Sequence, residues 1–484
     1  KIKRKMEKAF IIFPNSLFEI GNYPKDINKY HIFIIEDPLF FKDKSRITNF
    51  NKKKLILHRA SMKYYSNYLN ENKLKVKYID YNQNISKYDF LKKYETITLF
   101  NPTDHLLIKK LEKSLKKDLI ILDSPLFLLT TDDIKKYISE KTGKHKYFHK
   151  VFYQWQVKNL KIPYITKSYD TLNRNKIPEN EKIPEIKYYN SDYVKEASNY
   201  INNHTDFSNN YGNTDNFIFP VTHKESKKLL SDFLEIKFKN FGTYQDSIKK
   251  DEPYLFHSLL SALLNIGLIT PKDVIEKTIK HYQKYKNKIG INNYEGFIRQ
   301  IIGWREYMRM LYVSEYDNLT KSNYFELNNK ITKKYYTGNF GIPVIDDTIK
   351  NAFNNGYLHH IERLMVILNF MILTRINPKD VYKWFMEFAV DSYDWVMIGN
   401  IYGMGYYSTI TTTKPYLASS NYITNMSSDY KRNTILDGLF YKFLFDKEKL
   451  LKGGASVYLR NLAYYKKLDK NKKNEINKIT NSFI

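Results

Sequence analysis

Cysteine is absent from all 484 residues. Disulfides, thiolate nucleophiles and cysteine-ligated metal clusters are therefore excluded. Glycine is scarce, with 17 in the whole chain and only Gly21 between Lys1 and Thr142. A glycine-rich dinucleotide turn cannot be built in that stretch, so an ordinary NAD or FAD site is ruled out there. Tryptophan is limited to Trp155, Trp304, Trp384 and Trp395. The longest apolar run, LMVILNFMIL at 364–373, falls far short of the roughly 20 residues that a membrane-spanning helix needs. No phosphate-binding P-loop or hydrolase motif is present. His145 and His149 have helical spacing but no third ligand, so no metal site is expected.

Acidic residues are also in deficit: 51 Asp and Glu stand against 79 Lys and Arg, for a formal net charge of +28. That excess favours a polyanionic partner, nucleic acid first. The plainer source is coding bias, since Lys, Asn, Ile and Tyr abound as expected of an AT-rich genome. Hydrophobic content of 42% with 27% charged residues is that of a globular chain long enough for two or more domains. The start, KIKRKMEKAFIIF, turns from basic to apolar but is cut short at Pro14 and Asn15. No secretory leader is expected, and a soluble cytoplasmic protein is the default.

Short apolar or alternating runs at 9–13, 32–36, 74–80, 96–100 and 119–122 are separated by helical stretches such as 54–70 and 105–117. This alternation predicts a parallel sheet with helices on both faces. Residues 136–228 are polar, with Lys and Asn clusters and Pro163, Pro178 and Pro184, and read as a connector. From about 229 the pattern is helical, with helices expected at 252–268, 271–287, 294–313, 345–375, 378–391 and 436–451. Pro271 and Pro378 suit first helical turns. The expected division is an α/β domain at 1–135, the connector at 136–228 and a helical domain at 229–484. The tail KKLDKNKKNEINK reads as a solvated helix or as disorder.

Residues 357–426 mix aromatics with ionisable groups: YLHHIERLMVILNFMIL, WFMEFAVDSYDWVMIGNIYGM and KPYLASSNYITNMSSDY. On a helix, His360, Arg363 and Leu364 share a face. They are either the wall of a pocket for something flat and polar-edged, or a satisfied core histidine beside a surface arginine.

HHIERLM, WFMEF, DWVMIGNIYGM and KPY…YI…MSSDY together resemble the flavin domain of the cryptochrome/photolyase superfamily, in particular its bacterial iron–sulfur branch with the prokaryotic (6-4) photolyases. FIIFPNSLF, HIFIIEDPLFF, KKLILHRASMKYY, SYDTLNR, FGTYQDSI, FHSLLSALLNIGLITP and GWREY agree in order along the chain. The resemblance implies a Rossmann-like α/β N-terminal domain followed by an all-α FAD-binding domain. It implies a lyase, acting as a monomer, that repairs UV photoproducts in DNA by light-driven electron transfer from reduced FAD. The alternative is a cryptochrome-like blue-light photoreceptor that binds FAD without repair. A DNA-binding relative that has lost activity is a third reading.

The resemblance also nominates residues. His360 becomes the proton donor to the lesion, with His359 packing beside it and Leu364 where eukaryotic relatives have a second histidine. Arg363 and Asp391 become an ion pair at the isoalloxazine ring, Met397 faces flavin N5, and Asn400 neighbours it. The segment with His257, Ser258, Leu260 and Ser261 takes the diphosphate, the two hydroxyls sharing a helical face near its start; ordinary capping is the plain alternative. Tyr244, Gln245, Trp304 and Arg305 complete the cofactor set. Trp384 matches an electron-relay position, with core packing as its plain alternative. Phe385 stands where relatives have an oxidisable tyrosine, and Tyr336 where another relay tryptophan lies. Lys414, Tyr416 and Tyr422 are lesion-pocket or phosphate contacts. The family's cluster cysteines fall near Val344, Lys431 and Thr434, so no iron–sulfur cluster is expected. A ribityllumazine-type antenna would sit near Glu36 and Asp37.

Overall fold

The expected apolar runs form five strands: β1 (Lys8–Ile12), β2 (Tyr30–Ile35), β3 (Val76–Ile79), β4 (Thr96–Phe100) and β5 (Leu119–Leu122). All pair in parallel, in the order β3-β2-β1-β4-β5. The inner strands are apolar on both faces: Ala9, Phe10, Ile11 and Ile12 of β1 are all buried, as a sheet covered on both sides requires. The computed structural model describes residues 7–46, 48–82, 88–408, 410–412, 414–451 and 456–484. The basic start Lys1–Met6, weighed above as a leader, lies outside them.

The strand order reverses at β1, which opens a crevice at the strand ends. There Asn15 Nδ2 donates to the Pro102 carbonyl at 2.7 Å. Glu36 and Asp37, at the end of β2, are fully buried and already engaged. Glu36 accepts from Arg59, from the Tyr78 hydroxyl at 2.5 Å and from the Tyr81 amide at 2.8 Å. Asp37 accepts from Lys110 at 2.8 Å, from the Leu39 amide and from Tyr88. Both carboxylates tie the sheet to its own helices.

The helix Lys52–Glu71 joins sheet to helical region. Its N-cap, Asn51, accepts from the Lys53 amide at 2.9 Å and donates through Nδ2 to the Phe353 carbonyl at 2.7 Å. Lys53 and Lys54 are consequently buried. Among the described residues, no helix is long and apolar enough to cross a membrane.

The helical region departs from the expected boundaries in several places. Only Ser261–Ile266 of the stretch 252–268 is helical. Pro253 disfavours helix at Glu252, and Leu255 and Leu259 adopt φ of 39° and 59°, a strained conformation for leucine. Both leucines are buried, so burial of an apolar loop, not helical periodicity, produced that pattern. The stretch 345–375 breaks at Gly356 (φ 64°), which caps the helix Pro343–Asn355. Wide π-type turns occupy Arg299–Arg305, Glu362–Leu368 and Ile398–Gly405. The tail takes the helical one of its two expected readings: Lys470–Thr480 is a helix, and Lys442 Nζ donates to Asn477 at 3.2 Å. Within 136–228, the helices His149–Asn159 and Asp192–Asn203 carry buried Phe152, Val194 and Ile201.

Candidate functional site

After the helix Pro378–Phe388 the chain turns through Ala389–Tyr393 and places Asp391 inside. Arg363 grips its carboxylate with two donors, Nη1 to Oδ1 at 2.9 Å and Nη2 to Oδ2 at 3.1 Å. Ser261 Oγ donates to the same Oδ2 at 2.6 Å, and Asn265 Nδ2 donates to the Asp391 carbonyl at 2.7 Å. Arg363 Nε is spent on the Leu358 carbonyl at 2.6 Å. Burial pushes the Asp391 carboxyl up, but the Arg363 charge and hydrogen bonds, helped by Ser261, hold it below its ordinary value. Such a charge-assisted fork is rigid as well as strong.

Lys54 reaches this pair from the sheet side. Its Nζ donates to the Ser392 carbonyl and lies 4.9 Å from the Tyr393 ring centroid. Burial pushes the ammonium down to about 7, with Asp391 pulling it back up. Sequence reading missed this residue because NKKKLILHR looks like an ordinary basic helix start. Nothing local says that a second structural unit covers it.

A second cluster lies one turn before Arg363. His360, half-exposed, places Nε2 3.1 Å from Asp246 Oδ1. Asp246 follows buried Gln245 in FGTYQDSI and was not singled out from sequence. Tyr422 lies within electrostatic reach of Asp246 and Arg174, and Tyr416 of Asp170 and Arg174; burial raises both phenols. His360 thus stands at a half-exposed rim beside Asp246, while Lys414 is exposed. Behind the rim, His359 and His257 are buried and their rings stack at 4.8 Å with planes 12° apart. Burial holds both well below the ordinary histidine range, each further depressed by its histidine neighbours. His359 Nε2 lies 3.5 Å from Glu362 Oε2, whose carboxyl burial pushes up to about 8.

Other expected residues meet protein rather than open space. Ser258 precedes the helix, and its Oγ accepts from the Leu260 amide at 3.4 Å. The two hydroxyls therefore do not share a helical face, and Ser261 serves Asp391. Leu260 is buried. Arg305 donates to the Leu126 and Leu264 carbonyls at 3.1 and 3.2 Å and to Asn265 Oδ1. Trp304 stacks on His149 at 3.6 Å, and Tyr244 packs on Phe256 at 5.6 Å. Met397 is buried, and Asn400 donates to the Val396 carbonyl at 2.8 Å. Trp384 is fully buried among Phe353, Phe385 and Phe388, and its Nε1 donates to the Tyr335 carbonyl at 2.7 Å. Tyr336 lies beyond Phe353 and donates to Glu387 Oε2 at 2.9 Å.

Four polar atoms in these segments are buried without a hydrogen-bond partner: Trp395 Nε1, Gln245 Oε1, His257 Nε2 and His359 Nδ1. Native proteins leave few such atoms unless a ligand or water completes them. Three of the four belong to residues nominated from sequence. Trp395 is the exception; it lies under the Arg305 guanidinium at 4.8 Å.

Comparison with known proteins bears on the family and the fold. The family model for deoxyribodipyrimidine photo-lyase-related proteins matches residues 10–219. A (6-4) photolyase of Agrobacterium fabrum is 41% identical over 226 residues, covering 46% of this chain and only 44% of that protein. An uncharacterized protein of Acanthamoeba polyphaga mimivirus is 50% identical over 100 residues, 20% of this chain and 81% of that one. Among solved structures, a class III photolyase from Agrobacterium tumefaciens superposes with a TM-score of 0.54 at 16% identity, over 96% of this chain and 98% of that one. A Synechocystis cryptochrome does so at 0.57 and 12%, over 98% and 94%. A Sulfolobus tokodaii photolyase, crystallised with two FAD molecules, does so at 0.52 and 14%, over 98% and 99%. At those identities the structures establish a common fold, and the sequence matches add kinship. Residues 10–219 belong to the deoxyribodipyrimidine photo-lyase-related family, and the whole chain has the fold shared by photolyases and cryptochromes.

Proposed function

We propose that this protein is an FAD-dependent, light-driven DNA repair enzyme acting on (6-4) pyrimidine photoproducts, without an iron–sulfur cluster. The observation that carries the reading is the His360–Asp246 pair, at 3.1 Å on the rim immediately before the partly buried Arg363. It supports the reading because an imidazole held by an orienting carboxylate is what proton donation to a lesion base requires. The 41% identity to a (6-4) photolyase supports the same choice of lesion.

When bound, FAD supplies the photoexcited electron that the lesion receives. Arg363, held by Asp391, would neutralise the ring edge of the reduced cofactor in a low-dielectric site. Trp395 Nε1 and Gln245 Oε1, unpartnered in the protein alone, would hydrogen-bond to it. The buried apolar residues Met397, Leu260 and Phe388 exclude water. Asp246 takes Nε2–H of His360 and fixes the ring, so that Nδ1 is the atom that gives a proton to the lesion and recovers it. Tyr416 and Tyr422 would flank the extruded base, and the basic surface would hold the phosphates.

Illumination of the purified, reduced protein with DNA carrying one defined (6-4) lesion tests this directly, with a cyclobutane lesion as comparison. Restoration of the (6-4) substrate is expected. Flavin that photoreduces with neither lesion repaired would instead favour the photoreceptor reading.

A further inference from the structure

Among the described residues, His257, His359 and His360 bring one ligand atom each within 4.8 Å of one another. We propose that they form a binding site for a borderline divalent transition cation, with zinc the reference case. The spacing of His359 and His360 could not suggest it, because the third imidazole arrives from an irregular segment about a hundred residues earlier in the chain.

The ligand set is of the right kind. Imidazole suits zinc, copper and nickel, and a three-histidine set with one open position is an established zinc arrangement. His257 Nε2 and His359 Nδ1 are buried with no hydrogen-bond partner among the described residues. Unpaired ring nitrogens in such a place are costly unless something meets them. Two of the three rings also meet a carboxyl: His360 Nε2 lies 3.1 Å from Asp246, and His359 Nε2 lies 3.5 Å from Glu362. Carboxyl groups behind ligating imidazoles orient the rings and raise their basicity. His360 is half-exposed, so an ion has an entry path and the fourth position can take water.

The site needs adjustment to close. A tetrahedral ion at about 2.05 Å from each nitrogen requires nitrogens about 3.3 Å apart, closer than the 4.8 Å limit observed. The stacked rings of His257 and His359 must also splay, which side-chain rotation supplies. An occupied site and a proton-donating His360 exclude each other, so metal would set the fraction of molecules in which His360 is free.

The proposal goes beyond the repair reading, and its test uses neither light nor DNA. The full chain, flavin included, is freed of metal with a chelator and titrated with zinc chloride by calorimetry in the dark. One zinc per chain is expected. His360→Ala, at a half-exposed position that folding tolerates, should weaken binding by more than the roughly 10–100-fold that follows loss of an outer partner alone. Asp246→Asn should weaken it by about that 10–100-fold. His257→Ala should act like His360→Ala where circular dichroism shows it folded. Zinc-edge X-ray absorption on the wild-type protein should count three imidazole nitrogens at about 2.0–2.1 Å. No stoichiometric binding, affinity unchanged by His360→Ala, or fewer than three imidazoles around the ion would each overturn the site.

Discussion

Arg363 and Asp391 face each other as a planar fork, with both guanidinium Nη atoms on both carboxylate oxygens at 2.9 and 3.1 Å. Arg363 lies in the wide turn Glu362–Leu368 and Asp391 in the turn after the helix Pro378–Phe388, and Ser261 and Asn265 brace the acid from a third segment. The pair is buried, so its two members stabilise the fold only together.

Asp391→Asn should therefore destabilise the protein by about 3–5 kcal/mol, because it leaves a buried guanidinium uncompensated. Chemical denaturation measures the loss, and flavin content per chain should fall with it. Stability and flavin content at the wild-type level would show that the pair is dispensable.

Exchange of His360 separates repair from cofactor binding. His360→Ala should abolish (6-4) repair with flavin bound and photoreducible. His360→Asn should be nearly as damaging, since it keeps polarity but not the acid. Asp246→Asn should slow turnover more than it weakens lesion binding. Wild-type quantum yield in His360→Ala would remove the histidine from the mechanism.

Glu306 predicts a pH dependence of stability. Burial pushes its carboxyl up to about 7, although the Leu128 and Leu129 amides and Arg305 pull it down. The folded state thus holds a proton that the unfolded chain releases near pH 4.5. Its favourable contribution is full at or below that value and declines as pH rises towards 7. The stability difference between wild type and Glu306→Gln should shift by about 3 kcal/mol across that window, with the wild type relatively better at the acid end. Parallel stability curves for the two proteins would contradict this.

DNA affinity should fall steeply with salt if the +28 charge forms a phosphate-binding face. Six phosphate contacts would cost about a thousandfold between 50 and 200 mM salt. Fluorescence anisotropy on undamaged duplex reads the slope, and a flat response would mean that the lysines are dispersed.

Denaturation of the purified protein should release FAD, and elemental analysis should find negligible iron, because the chain has no cysteine to hold a cluster. Stoichiometric iron with labile sulfide would contradict that.

Sequence alone determined the parallel sheet, because buried strands read as unbroken apolar runs whose extent owes little to distant residues. The five runs and the five strands coincide to within two residues at each end. It also excluded thiolate chemistry outright and nominated Arg363, Asp391 and His360 through ordered motifs. Tertiary structure decided what those residues touch. Asp246 meets His360 from 114 positions away, and Lys54 reaches Ser392 across 338. Neither partner carries a local mark, since a helix start looks the same whether solvent or a second layer of helices covers it. The segment around His257 misled for a related reason. Its leucines are apolar because they are buried, and a buried irregular loop shows the same composition as a helix. Periodicity reports the geometry of neighbours along the chain; the charge pairs and the histidine cluster depend on packing between segments that periodicity does not relate.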